Sequence, residues 1–192
     1  MSEPAVKPWL AAALLLACTP ASAQDAGDNA EIAALFAADQ AARSGTGDVR
    51  NMFAEDAQRR RRAREMLEQG ALTTAADFYA AAFIFQHGTV PENYLLAHVL
   101  AIRSLALGKK EAEWIAAASL DRYLQNTGKS QIYGTQYRRT PETGTTMEPY
   151  DKALLTDALR EASGVGTVAQ QEARISEMDA LLKSLPAPPS NP

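Results

Sequence analysis

Residues 72–138 read LTTAADFYAAAFIFQHGTVPENYLLAHVLAIRSLALGKKEAEWIAAASLDRYLQNTGKSQIYGTQYR, and their reading decides the fold. Phe78, Ala81, Ala82 and Phe85 recur at i, i+3, i+4 and i+7, one face of a helix. Tyr79, Phe83 and Ile84 make the other faces apolar too, which predicts a central, buried helix. Thr74 and Asp77 have the spacing of a capping box, with Asp in place of the usual Glu or Gln. Gly88 stops this helix, and Pro91 suits the first turn of the next. The second helix places Leu95, His98, Val99, Ile102 and Leu105 on one face and ends at Gly108. In the third, Trp114, Ala117, Ala118, Asp121 and Leu124 share a face, and Gly128 ends it. Short links containing glycine make consecutive helices antiparallel. A polar segment follows, Gln131-Ile132-Tyr133-Gly134-Thr135-Gln136.

Upstream, residues 30–43 predict a helix with Ile32, Leu35, Phe36, Asp39 and Arg43 on one stripe. The spacing lets Asp39 pair with Arg43 at the surface, or lets both reach a shared polar centre. Residues 52–69 predict another helix, with Ala63, Met66 and Leu67 on its buried side. Its consecutive arginines, Arg59 to Arg62, point around most of a turn, about 300°, and cannot form one flat basic face. Solvation, or pairing with Glu55, Asp56, Glu65 and Glu68, is the expectation. Downstream, residues 150–162 predict a helix with Leu154, Leu155, Ala158 and Leu159 inside. Residues 167–184 predict a last one on Val168, Ile175, Met178 and Leu182. The sum is one all-α domain of five to seven helices in antiparallel hairpins, with a short extended segment near 131–137.

The 192-residue chain carries a net charge of −4, and that length suits one domain with a real core. Mild acidity argues against a general nucleic-acid binder. Lys7 precedes an apolar run, Trp9 to Ala17, too short to span a bilayer. Ala21-Ser22-Ala23 then supplies an A-x-A cleavage pattern. Residues 1–23 therefore read as a signal peptide, giving a periplasmic or secreted product. An alternative is a lipoprotein signal: Leu15-Leu16-Ala17-Cys18 resembles a lipobox that would lipidate Cys18 and anchor the chain to a membrane. Membrane contact is expected only through one of these two. A leader (24–29), the helical domain (30–184) and a proline-rich tail (185–192) of disordered composition complete the division. Cys18 is the only cysteine, so neither a disulfide framework nor a thiolate metal site is expected.

Candidate chemistry is sparse. His87 and His98 lack H-E-x-x-H or H-x-x-x-H spacing, and no metal or cofactor is expected. His87 falls at the end of its helix, where an imidazole suits the C-terminal dipole. His98, on a mainly apolar face, reads as a hydrogen-bonded core residue. Asp121 shares a face with Trp114, and a buried carboxylate needs partners; His98, Arg43 and Arg122 are candidates. A carboxylate–imidazole pair between helices could do acid–base work or simply lock packing. The 131–136 segment could line a site, with Gly134 allowing an unusual backbone angle or a close approach. It could equally be a strap that covers the core with Ile132 and Tyr133. No nucleophile elbow or glycine-rich phosphate loop is present.

Four motifs form a recognisable set: Asp39-Gln40-x-x-Arg43; Gln86-His87-Gly88; Trp114-x-Ala116-Ala117-x-x-x-Asp121-Arg122-x-Leu124; and Gln131-x-Tyr133-Gly134-Thr135-Gln136. Over roughly residues 33–165 the chain resembles an uncharacterised bacterial family of unknown function. The resemblance implies a helical domain, often exported, and transfers no activity. Residues it selects overlap those singled out above: Asp39, Arg43, His87, Asp121, Arg122, Gln131 and Gln136. Their convergence on one polar cleft, able to bind a small polar ligand or a peptide, is the leading expectation. It describes a non-catalytic binding or interaction domain, with Gln86, Trp114 and Tyr133 also at the site. The alternatives are a metal-independent hydrolase using Asp121 and a histidine, and a purely structural domain. An enzyme predicts a carboxylate within hydrogen-bond reach of His87 or His98 in an open cleft. A binding module predicts a groove lined by Trp114, Tyr133 and amides.

Overall fold

A computed structural model describes residues 27–44, 49–140 and 144–184. The expected signal peptide, Cys18, residues 24–26 of the leader and the proline-rich tail lie outside the described residues. The domain is all-α. Its elements are α1 (Ala30–Ala41), α2 (Val49–Glu68), α3 (Ala75–Gln86), α4 (Pro91–Ala106), α5 (Ala112–Asn126), β1 (Arg138–Thr140), β2 (Gly144–Thr146), α6 (Asp157–Ala162) and α7 (Val168–Ser184). Among the described residues no helix is long and apolar enough to cross a membrane.

Helix α3 is the centre, as its all-round apolar character predicts. Thr74 and Asp77 form the reciprocal capping box. Asp77 does more than cap: its buried carboxylate also accepts from the backbone N–H groups of Thr73 (2.9 Å) and Asn29 (2.8 Å). Asn29 in turn caps α1 through the N–H groups of Glu31 and Ile32. Two helix starts are thus tied through one carboxylate. Burial pushes Asp77 up, but the hydrogen bonds from Thr74, Thr73 and Asn29 outweigh it and hold its pKa below the ordinary aspartate value.

Helix α4 packs against both α3 and α5, and its inner side is built from small residues: Ala97, Ala101 and Ser104 are fully buried beside Leu100. The α5 side answers with Ala112, Ala116, Ala117 and Ala118. Small side chains let the helix axes approach closely, and close packing then favours them over larger aliphatics. This overturns the expected inner face of α4. Leu95, Val99 and Ile102 point outward, Val99 being 55 % exposed, while Leu105 packs at the core margin. Along α3, Phe36, Tyr79 and Phe83 form a cluster of tilted and edge-on rings, and Trp114 of α5 stacks on Phe83 at 6.3 Å.

The chain after α5 forms a polar cap. Strands β1 and β2 pair antiparallel, Arg139 opposite Thr145, and Gln131 bridges to Tyr150. The extended piece expected near 131–137 therefore comprises this bridge, a loop and a hairpin just beyond it. The helix expected over 150–162 is shorter, beginning only at Asp157 with Thr156 as its cap. Its inside differs as well: Leu154 and Leu159 are exposed, whereas Arg160 is buried. Arg160 is inside because it donates to Tyr150 Oη (2.8 Å), Leu155 O (2.6 Å) and Lys152 O (2.9 Å). In α7 the expected apolar stripe is only half-buried or exposed, and Gln171 is the buried contact.

Candidate functional site

The C-terminus of α3 gathers polar side chains from four helices. Asp39, buried near the end of α1, lies 3.0 Å from His87 Nδ1 through its Oδ1. The same oxygen accepts from Arg43 Nη1 at 2.9 Å, and Oδ2 accepts from Gln40 at 2.8 Å. Arg43 reaches across to Asp56 of α2 (2.8 Å), which also accepts from Arg59 (2.6 Å). Burial pushes Asp56 up, but these two guanidiniums outweigh it and hold its carboxyl below the usual range. A carboxylate only accepts, so Nδ1 of His87 carries a hydrogen, and Nε2 has no protein partner among the described residues.

The last carbonyls of α3 are capped in the same place. Arg122 of α5 donates to Gln86 O (2.8 Å), Arg60 of α2 to His87 O (2.5 Å), and Tyr94 of α4 to Gly88 O (2.8 Å). Cations at a helix C-terminus offset its partial negative charge. Arg122 is held by Gln136, whose Oε1 accepts from Nε at 3.0 Å, and lies over the Tyr94 ring. Burial and the nearby Arg43 charge lower the Arg122 pKa.

Asp121 and the 131–136 segment form a separate knot. Asp121 is fully buried, and its Oδ1 accepts from the backbone N–H groups of Ile132 (2.8 Å) and Tyr133 (3.0 Å). Oδ2 accepts from Thr135 N (3.0 Å) and Thr135 Oγ1 (2.8 Å). Gln131, also buried, donates to Gln136 O and Met147 O and accepts from Gln136 N. Gly134 has φ +78°, and a Cβ there would lie 2.2 Å from Gln171 Oε1, so the position needs glycine for both angle and space. Gln171 locks α7 onto the knot by donating to Tyr133 O (2.7 Å) and Gly166 O (2.8 Å). Asp121 thus takes its hydrogen bonds from the loop rather than from His98, Arg43 or Arg122. His98 Nδ1 instead meets Ala116 O at 2.9 Å, linking α4 to α5.

Between this knot, α5 and α7 lies a groove of about 970 Å³. Trp114, Met178 and Leu181 supply apolar wall, and Gln170, Arg174 and Glu177 supply polar wall. Trp114 is 44 % exposed, unusual for the largest side chain. Tyr137 also lines the groove, whereas Tyr133, expected there, contributes its carbonyl to Gln171 instead. Burial raises the Tyr137 hydroxyl pKa, and a hydrogen bond with Arg174 opposes it.

The expected site residues therefore fall into three groups. Asp39, Arg43, Gln86, His87, Arg122 and Gln136 come together at the end of α3; Asp121, Gln131 and Tyr133 build the knot; Trp114 stands in the groove. Sequence reasoning missed Arg60, Tyr94 and Gln171 as partners: Arg60–His87 and Gln171–Tyr133 join residues 27 and 38 positions apart, and Tyr94 reaches back to Gly88 only because the turn before α4 folds it there. Asp56 and Arg59, at i and i+3, carried a local signal. Among the described residues no group of three or more histidine, cysteine, aspartate or glutamate side chains could hold a metal ion. No protein-family model, curated protein or solved structure matches the chain.

Proposed function

We propose that the chain is an exported, non-catalytic binding domain of the bacterial envelope, and that it holds a peptide in the groove between Trp114 and α7. The exposed Trp114 is the observation that carries the reading. A tryptophan fixed against Phe83 yet open on its outer side is a rigid aromatic anchor, the residue type that dominates binding hot spots. Met178 and Leu181 extend an apolar strip for side chains, and Gln170, Arg174 and Glu177 offer polar groups to a peptide backbone. The A-x-A pattern at Ala21–Ala23 supports export, and Cys18 supports the lipoprotein form of the same address. The motif set supports kinship with the uncharacterised family it resembles.

The test is selection of a displayed random-peptide library on the immobilised domain. Enrichment that Trp114→Ala or Leu181→Asp abolishes supports the reading. No enrichment, or enrichment indifferent to both, refutes it.

The Asp39–His87 pair favours a second reading, a metal-independent hydrolase in which Asp39 orients His87 as a general base. It differs from the sequence expectation in using Asp39 rather than Asp121. A panel of chromogenic esters and phosphoesters tests it: turnover lost in His87→Ala and in Asp39→Asn would replace the binding reading with this one.

A further inference from the structure

The cluster at the end of α3 holds cations without matching anions. Arg43 is bound to Asp39 and Asp56, and Arg59 to Asp56 and the exposed Glu55. Arg60 and Arg122 reach no carboxylate among the described residues; their bonds go to the carbonyls of His87 and Gln86 and to the Gln136 amide. A guanidinium taken from water is normally matched by an opposite charge, because neutral acceptors replace only part of its hydration. Arg122 carries the mark of that shortage, since burial and the Arg43 charge both disfavour its cation.

Spare donors are available in the same place. A guanidinium has five N–H groups. Arg122 commits Nε and one hydrogen of Nη1, which leaves Nη2 free; Arg60 commits only Nη1. His87 is pinned through Nδ1, so its ring is oriented and its Nε2 is open to a ligand. Asp39 holds that ring from behind and is itself fixed by Arg43 and Gln40, so forming the site costs little reorganisation.

We infer that His87, Arg60 and Arg122 together bind a small oxyanion, a phosphate or carboxylate group, at the C-terminal end of α3. The site is separate from the Trp114 groove and stands whether or not that groove binds a peptide. Arg122 and Arg60 supply charge-assisted hydrogen bonds, His87 Nε2 accepts from the remaining O–H of a hydrogen phosphate or, with the ring protonated, donates to a carboxylate, and the anion completes the charge balance of the cluster.

His87 and His98 are the only histidines, so their ring resonances separate the site from an internal control. The experiment is a titration of the whole protein with inorganic phosphate at ionic strength held constant with chloride, read by NMR of both imidazoles. A saturable shift of His87, with His98 unmoved, is the expected result. Arg122→Gln weakens phosphate binding by about tenfold or more, the loss of one charge-assisted contact. Trp114→Ala leaves it unchanged. Should Arg122→Gln fail to fold, Arg60→Gln serves the same purpose, and the wild-type titration decides by itself. An acetate titration tells the sources apart: comparable affinity identifies a carboxylate ligand, and much weaker binding identifies a phosphate. Parallel, non-saturating shifts of both histidines, or none at tens of millimolar phosphate, would overturn the inference.

Discussion

Asp121 and Thr135 are joined twice, the backbone N–H and the hydroxyl of Thr135 both donating to Asp121 Oδ2 at 3.0 and 2.8 Å. With Ile132 and Tyr133 on Oδ1, the carboxylate folds a whole loop around itself. Asp121→Asn replaces one accepting oxygen by an NH₂ that must face donors. We expect it to destabilise the domain by about 2–4 kcal/mol, the range for breaking a buried charge-assisted network. Urea unfolding measures this. If Asp121 were instead a general acid or base, the variant would keep near-native stability.

Gly134→Ala faces two costs at one position. Its φ of +78° disfavours any side chain, and the new Cβ meets Gln171 Oε1 at 2.2 Å. We expect a loss of about 2–4 kcal/mol, combining αL strain with overpacking. In a Gln171→Ala background the cost should shrink without vanishing, because the strain of about 1 kcal/mol and the approach of the new Cβ to Tyr150 Cζ at 2.8 Å remain. A double-mutant cycle by chemical denaturation shows whether the two residues couple.

Acid should weaken the domain in a defined window. Asp77 and Asp56 both have pKa values held below the ordinary aspartate value when folded. A carboxyl with a depressed folded pKa stabilises fully above its unfolded pKa and loses that contribution as pH falls through the folded one. The melting temperature should therefore be flat near neutrality on account of these groups and fall below about pH 4. Asp77→Asn should lower stability at pH 7 and flatten the acid limb. A wild-type melting temperature that rises on acidification below pH 4 would contradict this assignment.

Helix α4 offers a test of which face is inside. Val99→Lys and Ile102→Gln sit on the outward side and should change stability by less than about 0.5 kcal/mol. Ala101→Leu, against α3 and α5, should cost about 1–3 kcal/mol through overpacking. Thermal unfolding of the three variants ranks them.

The misread face of α4 marks what a single sequence conveys. Element boundaries from α3 to α5 were legible, because Thr74–Asp77, Pro91 and the terminal glycines are local signals. Ala97, Ala101 and Ser104 carry less hydrophobicity than Leu95 or Val99, yet close helix packing selects the small residues. The polar convergence of Asp39, Arg43 and His87 was hinted at by charges on an apolar stripe. Its completion by Arg60 and Arg122 depends on contacts between residues 27 and 36 positions apart. Arg160 and Gln171 sit inside for their hydrogen bonds, which no apolar period announces.

Trp114 reports directly on whether a peptide seats in the groove. Trp9 and Trp114 are the only tryptophans, so a protein lacking residues 1–23 has Trp114 as its single indole emitter. The measurement is Trp114 fluorescence, with acrylamide quenching, before and after adding a peptide selected on the domain. Seating of the peptide on the indole predicts a blue-shifted emission and reduced quenching, both saturating with the binding curve. A peptide that binds while emission and quenching stay unchanged would contradict the groove as the site.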